Sequence, residues 1–122
     1  MAEAVARHFW GDVVEASSAG LVPLGYIPVE TLGTLRDAGI STSGLHSKGL
    51  SDVMLGEFDY LINLTEIKID RFLPDSMSGK LINCPIRDPF GHDVTAYRQV
   101  RSDIEKLIRG KMAEWEKIEE SR

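Results

Sequence analysis

The fold is decided by Phe58-Asp59-Tyr60-Leu61-Ile62-Asn63-Leu64, a short and nearly continuous apolar run. Such a run is typical of a strand in a parallel sheet, because helices cover both faces of that sheet and leave neither face to water. The pattern therefore predicts a buried parallel strand over residues 58–64.

Two further segments are predicted to be strands of the same sheet. Leu81-Ile82-Asn83-Cys84 is apolar and stops at Pro85, which has no N–H group to give to a ladder. Residues 13–18 form the other strand. The stretch 65–79 is ambiguous, because proline and glycine interrupt its apolar residues.

Three segments have the periodicity of helices. Residues 2–10 place apolar side chains on one face, and a second helix is expected to start near Pro28 and to close at Gly39. The last helix is predicted to begin after Asp93, a good N-cap residue, and to run to about Ile118. The alternation of helices and strands predicts an α/β fold, with helices packed on a mostly parallel sheet.

The bulk composition limits the classes of function. A chain of 122 residues with 43% hydrophobic residues is expected to form one domain, and its net charge of −5 makes nucleic acid an unexpected partner. No apolar run has the length of a membrane span. One cysteine, Cys84, excludes an internal disulfide and fits a cytoplasmic protein. The three histidines lack the spacing of metal ligands, so no metal or cofactor is expected.

Several short motifs occur in the order and spacing of one known family. The chain resembles the bacterial low-molecular-weight protein tyrosine phosphatases, a family that also contains thioredoxin-coupled arsenate reductases. The motifs that carry the resemblance are Met1–Arg7, Val14–Gly20, His46-Ser47-Lys48, Phe58–Leu64 and Asp88-Pro89-Phe90-Gly91. The resemblance implies a flavodoxin-like fold with three layers, α-β-α, around a mostly parallel sheet.

The phosphate-binding motif of that family does not occur in these residues. In the family a central first strand ends in a loop of the form C-x5-R-S/T, and a helix that often begins Met-Ala-Glu-Ala follows it. This sequence starts at the corresponding Met1. We therefore expect the nucleophilic cysteine and the phosphate-binding arginine to lie upstream. A misassigned start and a true relative without the loop remain alternatives.

The resemblance assigns roles to four residues. It implies that Asp88 is the general acid, that Phe90 forms an aromatic wall for the substrate ring, and that Ser18 and His46 support the phosphate-binding loop. The alternative for Asp88 is a simple Asp-Pro turn, which is a common turn pair. The alternative for His46 is a surface histidine in a loop.

Cys84 is not expected to be the nucleophile. Pro85 follows it, Arg87 lies too close for a C-x5-R motif, and no glycine-rich loop stabilises a thiolate. Arsenate reduction is also not expected, since the relay cysteines of the reductases have no counterparts in residues 65–80.

The expected function is accordingly that of a phosphatase-like domain that is inactive in these 122 residues. With a phosphate-binding loop restored, its substrate would be a phosphorylated protein or a small aryl phosphate. The alternative is a non-catalytic oligomeric or protein-binding domain on the same fold. A homo-oligomer is expected because strands next to the missing one would have unpaired edges.

Overall fold

The computed structural model describes residues 1–21, 23–77 and 80–120. Its main elements are three helices and two strands: α1 (Ala2–Trp10), α2 (Val29–Asp37), β1 (Leu61–Asn63), β2 (Leu81–Asn83) and α3 (Val94–Glu120). The chain divides into two compact units. The first contains residues 1–18, 27–45 and the chain from Pro89 onward, and the second contains residues 19–26 and 46–88. No helix in the described residues is long and apolar enough to cross a membrane.

The first unit is helical, and α3 packs against both α1 and α2. The apolar face of α3 repeats every three or four residues, so that its large side chains lie on one side of the helix. The buried side chains of this unit include Ala4, Val5, Leu35, Ile40, Tyr97, Val100, Ile104, Ile108 and Met112. The three helices predicted from the sequence are therefore confirmed.

The ends of two helices are fixed by local hydrogen bonds. At the start of α3, the Asp93 carboxylate accepts the Ala96 N–H at 3.0 Å, which confirms Asp93 as the N-cap. At the end of α2, Gly39 has φ +73. Its N–H donates to Arg36 at 2.9 Å, and Ile40 N–H donates to Leu35 at 2.9 Å. This pattern is a Schellman motif, which needs a left-handed residue at the position of Gly39.

The second unit contains the strands. β1 and β2 are parallel, with Leu61 opposite Leu81 and Asn63 opposite Asn83. Parallel pairing of these two segments was predicted and is confirmed. The prediction that the whole first strand is buried was wrong, since Asn63 is buried but Leu61 and Ile62 are only partly buried. Within the described residues β1 is paired along one edge only, so less of its surface is covered.

The strand predicted over residues 13–18 is wrong. Val13 and Val14 donate their N–H groups to Trp10, at 3.0 and 2.9 Å, and continue the end of α1 as a turn. The chain then runs without regular structure until Gly20, which forms an isolated parallel bridge with Gly49. A strand forms only where a neighbour takes up its backbone N–H and C=O groups. In the part of the chain that the structure describes, residues 13–18 have no such neighbour.

The ambiguous stretch 65–79 forms two short 3-10 turns where it is described. They span Asp70–Phe72 and Asp75–Met77, and buried Ile69 and Met77 anchor them.

Candidate active site

The Asp88-Pro89-Phe90-Gly91 segment forms a turn that leads into α3. His92 N–H donates to the Pro89 carbonyl at 2.9 Å, and Gly91 has φ +83. Asp93 then caps the helix. Glycine readily adopts a left-handed φ because it has no Cβ atom, and a Cβ atom makes that conformation strained in other residues. The turn therefore fixes the backbone that follows Asp88.

The chain before Asp88 is fixed by the parallel strands. Ile86 N–H donates to the Leu64 carbonyl at 2.8 Å, just beyond the end of β1. Asp88 itself is exposed, two residues further along the chain. The Asp88 carboxyl group therefore follows a fixed main chain and is accessible to a ligand.

Phe90 is half exposed, with 50% of its surface accessible. A large aromatic side chain commonly buries most of its surface, so an exposed one offers apolar area to a ligand or partner. The position is suited to the aromatic wall that the resemblance implies.

Ser18 is held by a buried carboxylate. Its hydroxyl donates to Glu3 Oε1 at 3.1 Å. Glu3 Oε2 lies 3.0 Å from Arg7 Nη1, and the Glu3 side chain is only 1% exposed. The nearby Met1 amino group has a lowered pKa, because burial disfavours its charged form more strongly than the Glu3 carboxylate favours it.

Glu3 was not recognised as a site residue from the sequence. It lies among alanine and valine side chains on the buried face of α1, where a carboxylate is unusual. The available signal was its spacing to Arg7, since glutamate followed four positions later by arginine forms a favourable helical pair.

His46 is exposed in a loop whose following residues are fixed. Ser47 Oγ accepts the Gly25 N–H at 3.0 Å, and the Lys48 carbonyl accepts the Gly20 N–H at 2.8 Å. These contacts hold the segment after His46 against Gly20 and Gly25.

The predicted site residues are divided between the two units. Ser18 and Phe90 belong to the first unit, and His46 and Asp88 belong to the second. The structure places each residue in a defined local setting, and the roles that the resemblance implies for them stay predictions.

Cys84 follows β2 directly. Its N–H donates to the Asn63 carbonyl at 2.9 Å, and its side chain is partly exposed. Pro85 comes next, where a phosphate-binding loop would need several free N–H donors. The backbone at Cys84 thus serves the parallel pair and offers no cradle for an oxyanion.

The family model for low molecular weight phosphotyrosine protein phosphatase matches residues 1–121, and the chain belongs to this family. Solved structures show the same α/β fold. An arsenate reductase in the reduced state is 20% identical with a TM-score of 0.80, covering 93% of this chain and 86% of its own. A protein tyrosine phosphatase is 18% identical with a TM-score of 0.80, covering 94% and 85%.

A third similar structure is the YwlE arginine phosphatase from Geobacillus stearothermophilus. It is 23% identical with a TM-score of 0.77, covering 97% of this chain and 86% of its own. At these identities the likeness concerns the fold. No curated protein sequence matches this chain.

Proposed function

We propose that this chain belongs to a bacterial, cytoplasmic phosphomonoester hydrolase and supplies Asp88 as its general acid. The observation that carries the proposal is the turn at Asp88-Pro89-Phe90-Gly91, which presents an exposed carboxyl between two fixed pieces of backbone. Family membership supports the reaction class. The 122 residues contain no C-x5-R-S/T motif, so the nucleophilic cysteine and the phosphate-binding arginine of this reaction are proposed to lie outside them.

The chemistry assigns a separate task to each group. A cysteine thiolate attacks phosphorus, and the bond from phosphorus to the leaving oxygen breaks. Asp88 donates a proton to that oxygen, so that a neutral alcohol or phenol departs. Phe90 gives apolar contact to an aromatic leaving group. Ser18 and His46 support the loop that binds the phosphoryl oxygens.

The proposed substrates are aryl phosphates, including phosphotyrosine in proteins. Phe90 supports this choice, because an exposed planar ring suits a planar leaving group. Similar structures carry the names arsenate reductase, tyrosine phosphatase and arginine phosphatase. Arsenate reduction is the less favoured activity, since the 122 residues contain a single cysteine that follows a strand.

The test compares two proteins. One has the 122 residues alone. The other is expressed from a gene that also includes the in-frame codons preceding Met1. We expect turnover of para-nitrophenyl phosphate by the longer protein only, and slower turnover of phosphoarginine. In the longer protein, Asp88→Asn should lower kcat on phenyl phosphate by about 10²–10⁴-fold.

Matched variants give the controls. Asp75→Asn removes an exposed carboxyl outside the proposed site, and Cys84→Ser removes the cysteine that follows β2. Both should leave kcat within about twofold of the parent value. Turnover by the 122 residues that disappears in Cys84→Ser would assign the nucleophile to Cys84 and overturn the proposal.

A second candidate function is a non-catalytic oligomeric or protein-binding domain. The observation that favours it is the outer edge of β1, where the Ile62 N–H and C=O face away from β2 because Leu61 and Asn63 bond to the β2 side, and no further strand lies there among the described residues. Such an edge is a template for a further strand. A phosphate-binding segment found upstream, with turnover, would favour the first candidate.

A further inference from the structure

The second unit contains an open cavity, lined by exposed side chains, next to the carboxyl ends of its two strands. It has a volume of about 770 Å³ and is lined by Ile67, Lys68, Asp70, Arg71 and Asn83. Asn83 is the last residue of β2, and the other four follow the end of β1 by four to eight positions. In open α/β folds, ligands bind outside the carboxyl ends of parallel strands. The place is therefore a reasonable one for a binding site.

A buried asparagine organises the wall of the cavity. Asn63 is 5% exposed, and its Oδ1 accepts both the Thr65 N–H at 3.0 Å and the Thr65 hydroxyl at 2.7 Å. Its Nδ2 donates to the Ile67 carbonyl at 2.8 Å and to Asn83 Oδ1 at 3.0 Å. Because a backbone N–H can only donate, the Thr65 contact fixes which end of the Asn63 amide is the oxygen.

This network decides what Asn83 presents to the cavity. Its oxygen is taken by Asn63, so its amide NH₂ group is left as a donor. The network also holds the backbone of Ile67, because Thr65 Oγ1 accepts the Ile67 N–H at 3.1 Å. Lys68, the next residue, therefore extends from a fixed main chain. Such preorganisation lowers the entropy cost of binding.

Arg71 is placed by a different contact. Its guanidinium lies over the Phe72 ring, 4.9 Å from the ring centre. Arg71 and Lys68 have no carboxylate within 4.0 Å in the part of the chain that the structure describes. A cation stacked on an aromatic ring keeps its N–H groups at the edge, where they can donate to a ligand.

The charges of the lining indicate the ligand. Two cations and one carboxylate give a positive lining in a chain whose net charge is −5. Lys68, Arg71 and the Asn83 amide supply donors only, whereas Asp70 accepts a hydrogen bond. Ile67, which is 53% exposed, adds apolar contact.

We propose that this cavity binds a small organic anion, a phosphate ester or a carboxylate, that also carries a hydroxyl group. The anion would take the donors of Lys68, Arg71 and Asn83, and the hydroxyl would donate to Asp70. This binding does not depend on the proposed hydrolysis, so it is tested in the 122-residue chain.

The experiment is an amide chemical-shift titration of the chain at constant pH and ionic strength. The probes are glycerol 3-phosphate, lactate and, as an uncharged control, glycerol. We expect saturable shifts at residues 67–71 and 83 with one or both anions, at about millimolar Kd, and none with glycerol. The anion that binds with the lower Kd shows whether the natural ligand is a phosphate ester or a carboxylate.

Two variants test the named contacts, and a third is their control. Asn83→Asp keeps the oxygen that faces Asn63 and replaces the donor with a negative oxygen, and Arg71→Gln removes the stacked cation. Each should weaken anion binding by about tenfold or more, whereas Arg36→Gln, an equal charge change at an exposed position of α2, should change it by less than about twofold.

The amide spectrum of each variant shows whether β1 and β2 remain paired. Absence of saturable shifts with both anions overturns the proposal. So does an equal loss of affinity in Arg36→Gln and Arg71→Gln, because binding would then reflect net charge alone.

Discussion

The Ser18 hydroxyl donates to Glu3 Oε1 at 3.1 Å, and so joins a surface loop to a carboxylate that is almost completely buried. Arg7 neutralises that carboxylate from the next turn of α1, at 3.0 Å, while remaining 46% exposed. Burial makes an unpaired charge costly, so we expect the contact with Arg7 to contribute more to the free energy of unfolding than the contact with Ser18. Arg7 supplies charge, and Ser18 supplies one hydrogen bond.

The first prediction concerns this pair. Arg7→Gln removes the Arg7 cation from the buried Glu3 carboxylate and should lower the free energy of unfolding by about 2–3 kcal/mol, less than for a fully buried pair because Arg7 is partly solvated. Ser18→Ala should cost about 1 kcal/mol. Urea denaturation at neutral pH measures both changes.

The control is the exposed pair of Arg98 with Asp37, whose atoms are 3.6 Å apart. Both side chains are more than half exposed, so Arg98→Gln should cost less than about 0.5 kcal/mol. Equal losses of unfolding free energy in Arg7→Gln and Arg98→Gln would contradict the expectation that burial of Glu3 makes its ion pair the more important one.

The second prediction concerns Thr34 on α2. Its Oγ1 is buried without a hydrogen-bond partner, while its carbonyl accepts a bond from Arg101 on α3. Thr34→Val has nearly the same shape, removes the unsatisfied hydroxyl and keeps the carbonyl. We expect unfolding to become harder by about 1 kcal/mol, because the hydroxyl no longer needs to leave water.

Thermal and urea unfolding measure this gain, and Thr95→Val is the control. Thr95 is exposed at the start of α3, so its hydroxyl is solvated and its replacement should change stability by less than about 0.5 kcal/mol. A loss of stability in Thr34→Val would mean that the hydroxyl has a partner in solution.

The third prediction concerns the turn after Asp88. A Cβ atom at Gly91 would meet no other atom within 4 Å, so the only obstacle to a side chain is φ +83. Gly91→Ala should therefore cost about 1–2 kcal/mol, the strain of a left-handed alanine.

Gly56 provides a matched comparison, since a Cβ there also meets nothing within 4 Å and φ is not positive. Gly56→Ala should be neutral or slightly stabilising, because alanine restricts the unfolded chain. If denaturant midpoints fall equally in both variants, the left-handed turn at Gly91 is not a feature of the folded protein.

The sequence predicted those parts of the fold that are specified locally. The periodicity of α3, the cap at Asp93 and the closure at Gly39 depend on neighbouring residues, and all three were confirmed. The prediction of a strand over residues 13–18 failed because a strand depends on a distant partner. The apolar pattern of Val13 and Val14 contains no information about that partner.

The candidate site shows the same division. The predicted site residues were found from short motifs of a family, and such motifs can be recognised without knowing how the chain packs. These residues are Asp88, Phe90, Ser18 and His46. Glu3 and Asn63 were missed, since a polar residue in an apolar stretch cannot be distinguished from a surface residue until its buried partners are known. Their importance appears only in three dimensions.

The last prediction concerns the free edge of β1. In a parallel pair, alternate residues turn their backbone groups to the same neighbour. Leu61 N–H donates to Lys80 at 3.0 Å and the Asn63 carbonyl accepts from Cys84 at 2.9 Å, so the Ile62 groups face away from β2. A two-stranded sheet with such an edge is marginal in water, and a second copy of the chain can supply a further strand.

We therefore expect the 122-residue chain to be a dimer by light scattering at micromolar concentration, with slow amide exchange at Ile62. Ile62→Pro removes the N–H that faces outward and keeps both Leu61 and Asn63 in contact with β2, so it should yield a monomer that retains α3. Leu61→Pro removes the N–H that bonds to Lys80 and should instead unfold the parallel pair. A monomeric parent chain in which Ile62 N–H is nevertheless strongly protected would show that the edge is covered within one molecule.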